Sequence, residues 1–335
     1  MIFWSILFLN ACFIAESPHM IRRLLVILIF IHVATLALED YSVFRRLIVI
    51  LAATGGICAL LSVLVHAFQG NLVFAYRASP IHGSGLGNLA EFGGTIIAGT
   101  NYVPSLVAAI WLALTATRKD MVVKWLACAF FIAVFVYFTY SRTAWLASLA
   151  SAVILVMTQA KPEVKKLTLL AGMIIVIFAC IFGYDAIQYE LTERGTTGRD
   201  EIWSTVFERL SGHWLTGYGA GVNTDPIAIH GGAQIIKKHM HNLYIEILYQ
   251  FGLIGLVLTL VVSLLLVLEL FRLRANKMAA FWLALFSCGL LAMLFDLDGF
   301  VSSPSVVWIY FWLPIAGHLA IVQSDFFRKN IENAK

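Results

Sequence analysis

FIAVFVYFTYSRTAWLASLASAVILV, residues 131–156, decides the fold class. Two apolar runs meet across a few polar residues, of which Arg142 alone carries a charge. Two membrane helices joined by so short a connection form a hairpin, because in lipid every backbone polar group must be satisfied within its own segment. The pattern extends along the chain. Hydrophobic residues make up 61% and charged residues only 13% of the 335. A soluble domain carries roughly 25% charged residues, so this chain cannot cover a water-facing surface. The sequence predicts an all-α fold, a polytopic membrane helix bundle. The net charge of +4 is spread among loops, and no basic block points to nucleic acid.

Ten apolar segments are candidates for crossing the membrane, near 2–15, 21–38, 47–68, 93–115, 121–139, 143–159, 167–183, 243–268, 279–295 and 305–323. A crossing needs roughly 20 apolar residues, so the first two are short. The first lacks the basic n-region and small-x-small site of a signal peptide and is kept as a helix. Gly93, Gly94 and Gly99 are assigned to the fourth span, where small residues permit close helix packing. Cys12, Cys58, Cys128, Cys180 and Cys288 lie singly within apolar segments, with neither metal-ligand nor disulfide spacing. The chain reads as one integral membrane domain, 1–335, containing a single long loop at 184–242.

The distribution of Lys and Arg orients the bundle. Fourteen fall on one side, from Arg45 and Arg46 to Lys335, whereas the short loops opposite hold only Arg22, Arg23, Arg77 and Arg142. The positive-inside rule then makes both termini cytoplasmic and the long loop extracytoplasmic. Arg22 and Arg23 are exceptions to this bias.

On that outer side the long loop has internal order. Thr196, Thr197 and Gly198 end one segment and start a helix, with Asp200 and Glu201 suited to its first turn. Ile202, Trp203, Val206, Phe207 and Leu210 recur with helical spacing, which predicts an amphipathic helix. Arg199 stands at its start, where a cation is unfavourable unless an anion is near; pairing with Glu193 or Glu201 is one explanation and a bound anion another. GYGAGVN, residues 217–223, supplies glycines for an ordered turn. No strand precedes it, so a nucleotide-binding reading is rejected.

HMHNLYIEIL, residues 239–248, follows. Asn242 is a natural N-cap for a helix beginning near Leu243. His239 and His241 sit at the positive end of that helix, beside Lys237 and Lys238, which favours the neutral imidazole and suits it to accept a proton. A metal site and a purely capping role are the alternatives. Spacing suggests no further metal ligands.

Taken in order, these features resemble the O-antigen ligase superfamily. They are the Ser-Arg-Thr hairpin, Gly-Arg entering an amphipathic helix with Trp, the G-x-G-x-G turn, and His-Asn followed by Phe-Gly-Leu-x-Gly at 251–255. The similarity runs from about residue 130 to 260. It implies a membrane glycosyltransferase of the bacterial inner membrane. Such an enzyme transfers a glycan from undecaprenyl pyrophosphate to an acceptor hydroxyl on the periplasmic face, without cofactor or metal. Arg142 and Arg199 would bind the donor pyrophosphate and His241 would act on the acceptor hydroxyl. Asn242, His239 and Gly219 would support them. Implied partners are the lipid-linked glycan donor, a lipid A-core or glycan acceptor, and membrane lipids.

The resemblance admits attachment of O-antigen to lipid A-core, polymerisation of repeat units and protein O-glycosylation. Arginine forks suit phosphate oxygens and stabilise a pyrophosphate leaving group. Direct displacement aided by one base predicts inversion at the anomeric carbon, and the paired carboxylates of glycoside hydrolysis are not required. A transporter is the rival class, but it would place ionisable residues at mid-membrane.

Overall fold

The structure, a computed structural model, describes residues 2–15, 17–73, 77–87, 89–182, 188–193, 198–222, 227–230, 233–236 and 240–333. It bears out the all-helical membrane class. In chain order the helices are α1 (Ile2–Phe13), α2 (Pro18–Leu38), α3 (Tyr41–Phe68), α4 (Thr95–Thr115), α5 (Lys119–Phe138), α6 (Arg142–Gln159), α7 (Pro162–Phe182), α8 (Arg199–Arg209), α9 (Leu243–Arg272), α10 (Lys277–Phe295) and α11 (Leu313–Asn333). Short π-helical turns cover Tyr189–Glu193 and Trp308–Trp312. Between α8 and α9 lies an antiparallel hairpin, β1 (Ile227–His230) and β2 (Ala233–Ile236), with Ile227 opposite Ile236. The sequence reading gave this loop helices only.

Among the described residues, α2, α3, α4, α5, α9 and α10 are long and apolar enough to cross a membrane. The other four expected spans also fall on helices, but α1 has only 12 residues. Gly93 and Gly94 precede α4 rather than packing within it, and a Cβ on Gly94 would meet nothing within 4 Å. Gly99 does pack closely, since a Cβ there would lie 2.8 Å from the Ala144 Cβ and 2.9 Å from Thr139 Oγ1. Gly94 is extended at φ 172°, so the chain is still entering the helix where the glycine pair stands.

Contacts divide the chain into two compact units. One comprises Ile29–Lys161, Leu266–Ala292 and Val306–Lys335. Its core contains a fully buried aromatic cluster, in which Phe44 meets the rings of Trp111, Phe281 and Trp282 at 5.3, 5.6 and 5.5 Å. These edge-on contacts suit the ring quadrupoles, and the indole N–H of Trp111 is satisfied by the Lys277 carbonyl at 2.8 Å. Helix α4 is buried on most sides despite carrying Pro104.

The expected hairpin is present in this unit. α5 ends at Phe138, Ser141 caps α6 by accepting the Ala144 N–H at 3.3 Å, and Arg142 is the first helical residue. Tyr140 turns the corner at φ 48° and is almost fully buried. Burial raises its phenol above the ordinary value.

The other unit comprises Met1–Leu28, Pro162–Leu265 and Met293–Ser305. Here α8 lays Ile202, Val206 and Leu210 inward, as its spacing predicts. Val206 and Leu210 pack with Met240, Leu248 and Tyr249. Trp203 flanks this face and donates its indole N–H to the Met240 carbonyl at 3.0 Å. The amphipathic helix thus packs against the start of α9 and the residues before it.

Candidate active site

Asn242 caps α9 as its residue type predicts. Its Oδ1 accepts the N–H groups of Tyr244 and Ile245 at 3.0 and 3.1 Å. His241, immediately before the cap, adopts φ 51°. A left-handed conformation is uncommon for a residue with a Cβ, and such strain concentrates at functional sites. The same device occurs at the other motif, where Tyr140 at φ 48° precedes the Ser141 cap.

The His241 side chain meets a carboxylate. His241 Nδ1 lies 3.8 Å from Asp296 Oδ1, and the same oxygen accepts from Arg199 Nη2 at 2.5 Å. The Asp296 side chain is 3% exposed, against 15% for Arg199 and 24% for His241. A buried carboxylate therefore joins the two sequence-predicted residues, Arg199 from the first turn of α8 and His241 from the foot of α9. The left-handed Gly198, at φ 76°, caps α8 and starts it at Arg199. Thr196 and Thr197 lie outside the described residues. Of the two explanations for Arg199, an acidic partner or a bound anion, the structure supplies an acidic partner, Asp296, beyond the two acids considered from the sequence.

Asp296 is the residue that sequence reasoning missed. It stands just beyond α10 in FDLDGF, residues 295–300. Its signal was a pair of acids at the end of an apolar span, on the side charge counting assigned to His241. Glu246 fixes this segment from α9. Its carboxylate accepts the Gly299 N–H at 2.9 Å and the Phe300 N–H at 3.4 Å, and receives the Gln250 amide at 3.1 Å. Gly299 has φ 77°, which lets the chain turn tightly over that carboxylate.

The glycine turn is held from the next step along α9. Gln250 Oε1 accepts the Gly221 N–H at 3.2 Å, and the Gln250 carbonyl accepts that of Gly219 at 2.9 Å. Gly217, Gly219 and Gly221 all have positive φ. At Gly219 a Cβ would also lie 2.8 Å from the Ala15 backbone. Asn10 of α1 completes the clamp. It donates to the Thr216 carbonyl at 3.0 Å and accepts the Ala220 N–H at 2.8 Å. Asn242, Glu246 and Gln250 recur every fourth residue, so one edge of α9 carries the cap, the carboxylate segment and the glycine turn.

Residues 127–260 match a protein-family model described as O-antigen ligase. This stretch includes Arg142, Arg199, the glycine turn, His241 and Asn242. The central segment is thus similar to the O-antigen ligase family. The chain is also similar to an O-antigen ligase of Pseudomonas aeruginosa PAO1, with 26% identity over 150 residues. That alignment covers 44% of this chain and 36% of the relative, so the chain spans little more than a third of the relative's length.

Within the matched segment, Arg199 and His241 are brought together through Asp296, which lies beyond the segment's end. Arg142 begins α6 in the other unit. His239 lies outside the described residues.

Proposed function

We propose that this protein is a membrane glycosyltransferase. In this reading it moves a glycan from undecaprenyl pyrophosphate to an acceptor hydroxyl at the periplasmic face of the bacterial inner membrane. The reaction we favour is ligation of O-antigen to lipid A-core. The family match supports the class, and one observation carries the chemistry: a buried carboxylate in contact with both an arginine and a histidine.

In this reading His241 takes the proton of the attacking hydroxyl. Asp296 orients the imidazole through Nδ1, leaving Nε2 to face the acceptor, and stabilises the imidazolium that forms. Asp296 also holds one edge of the Arg199 guanidinium. An arginine has five N–H donors, so Arg199 retains others for a phosphate oxygen. Arg142 is carried over from the family resemblance alone as a phosphate-binding residue, and the positive end of its helix suits an anion. Charge developing on the leaving oxygen is then met by fixed donors, and direct displacement inverts the anomeric carbon without a metal.

The test is a deletion strain complemented with wild-type or His241→Ala protein. Bare lipid A-core with retained carrier-linked polymer supports the ligase. Accumulated single repeat units would assign a polymerase instead, and unchanged surface glycans would reject both. Donor binding by the His241→Ala protein, without transfer, supports the base role.

A further inference from the structure

The turn that follows α8 exposes an apolar shelf. Phe207 and Trp214 are stacked at 6.2 Å with ring planes 10° apart, yet they are 41% and 40% exposed. Leu215 beside them is 64% exposed. This is a built surface. His213 N–H bonds to the Leu210 carbonyl and Gly217 N–H to the His213 carbonyl, both at 2.8 Å. The His213 ring stacks on Tyr218 at 4.2 Å, and the Tyr218 hydroxyl donates to the Arg209 carbonyl.

The shelf is fastened to a transmembrane helix. At Gly252, which leaves helical geometry with φ 66°, α9 frees two N–H groups. Leu253 N–H bonds to the Trp214 carbonyl at 2.7 Å and Ile254 N–H to the Leu215 carbonyl at 3.3 Å. A Cβ on Gly252 would lie 2.2 Å from the Leu215 oxygen, so only glycine admits this approach. Just beyond, Leu253, Ile254 and Val257 are themselves exposed on α9. The apolar surface of the turn therefore runs on into that of the helix.

The level of the shelf identifies what covers it. From Leu253 to Arg272 the helix spans roughly 30 Å, at about 1.5 Å per residue, which matches the hydrocarbon thickness of a bilayer. With Arg272 at one boundary, Trp214 and Leu215 stand at the other. That is where Trp is enriched, with an apolar ring at the headgroup level.

We propose that Phe207, Trp214 and Leu215 form a lipid-binding surface that seats α8 in the headgroup–acyl boundary of one leaflet. The polar edge formed by Asn242, Glu246 and Gln250 then stands above the hydrocarbon. Arg199, one α8 length from the shelf, is held at a set height over the lipid. The proposal is independent of the reaction the protein catalyses.

The experiment uses the full chain in phosphatidylcholine–phosphatidylglycerol vesicles. Leu215→Cys in a background with all five native cysteines replaced by Ser is labelled with a thiol-reactive NBD dye. Blue-shifted emission is expected, with strong quenching by doxyl-labelled lipid and at least several-fold weaker quenching by aqueous iodide. Iodide quenching equal to that of free dye overturns the proposal, as does protection from both quenchers, which would mean a protein cover. Protection that appears only when glycan is added likewise overturns it and assigns the aromatic pair to sugar. The unmodified chain provides a second measurement. Diazirine-bearing phosphatidylcholine should leave adducts between Phe207 and Leu215, and adducts confined to the transmembrane helices refute it.

Discussion

Replacing Asp296 with Asn tests the proposed centre most directly. The amide keeps the shape of the carboxylate and leaves an oxygen for Arg199, but removes the charge shared with His241. At 3.8 Å the Asp296–His241 contact is an ion-pair distance, and the yardstick for the loss is the contribution of a positioned general base, about 10²–10⁴-fold in rate. The structure places one carboxylate oxygen on both partners. A fall in transfer rate of roughly 10²–10³-fold is therefore expected, or about 2.7–4 kcal/mol of barrier. The assay is glycan transfer by purified protein, with donor affinity and thermal unfolding measured alongside. Donor affinity should weaken less than the rate, because Arg199 survives. In the proposed centre Asp296 acts through His241, so Asp296→Asn combined with His241→Ala should cost little more than His241→Ala alone. Wild-type transfer by Asp296→Asn would refute the reasoning, and so would a loss matched by the fraction unfolded.

Other expectations follow from neighbouring contacts. Glu246→Ala leaves the buried N–H of Phe300 and the Gln250 amide without their acceptor, at about 1–3 kcal/mol for each unsatisfied group. Glu246→Gln retains an oxygen, so its melting temperature and rate should lie between those of wild type and Ala. Gly219→Ala should lower both activity and melting temperature, since positive φ and the Ala15 backbone both oppose a Cβ; a wild-type melting curve would contradict this. Asn242→Ala removes the α9 cap and should cost about 1 kcal/mol, read by thermal unfolding in detergent. At the other end of the chain, Asp40 caps α3 by accepting the Ser42 N–H at 2.7 Å, and this bond holds its carboxyl below the usual 3.8. A depressed folded value means that its contribution is present above 3.8 and fades as pH falls through the folded value. The melting difference between wild type and Asp40→Ala should narrow only in strong acid.

Local features were legible in the sequence because local chemistry determines them. The apolar spacing of Ile202, Val206 and Leu210 specifies the buried face of α8, and Asn242 announces a helix start by residue type. The Ser141–Arg142 hairpin is visible because nothing else fits between two apolar runs. The centre itself was half legible. Arg199 and His241 sit at helix starts whose dipoles mark them, but their common partner lies in a segment that no local rule connects to them. Glu193 and Glu201, weighed as alternatives to a bound anion, were suggested by proximity in sequence. The fold instead supplies Asp296, pinned by Glu246. The left-handed backbone at His241 was hidden for a related reason: a residue type with a Cβ gives no sign of it.

The Asn10 clamp bears on how the protein is made. Asn10 lies 206 residues from Thr216 and 240 from Gln250 in the chain. Its helix leaves the ribosome well before these partners, so its buried amide gains them only after α9 has been synthesised and inserted. Until then the apolar helix carries an unsatisfied polar group into the membrane. Assembly of the glycine turn therefore follows insertion of α9, and the membrane insertion machinery must hold the Asn10 helix available for it.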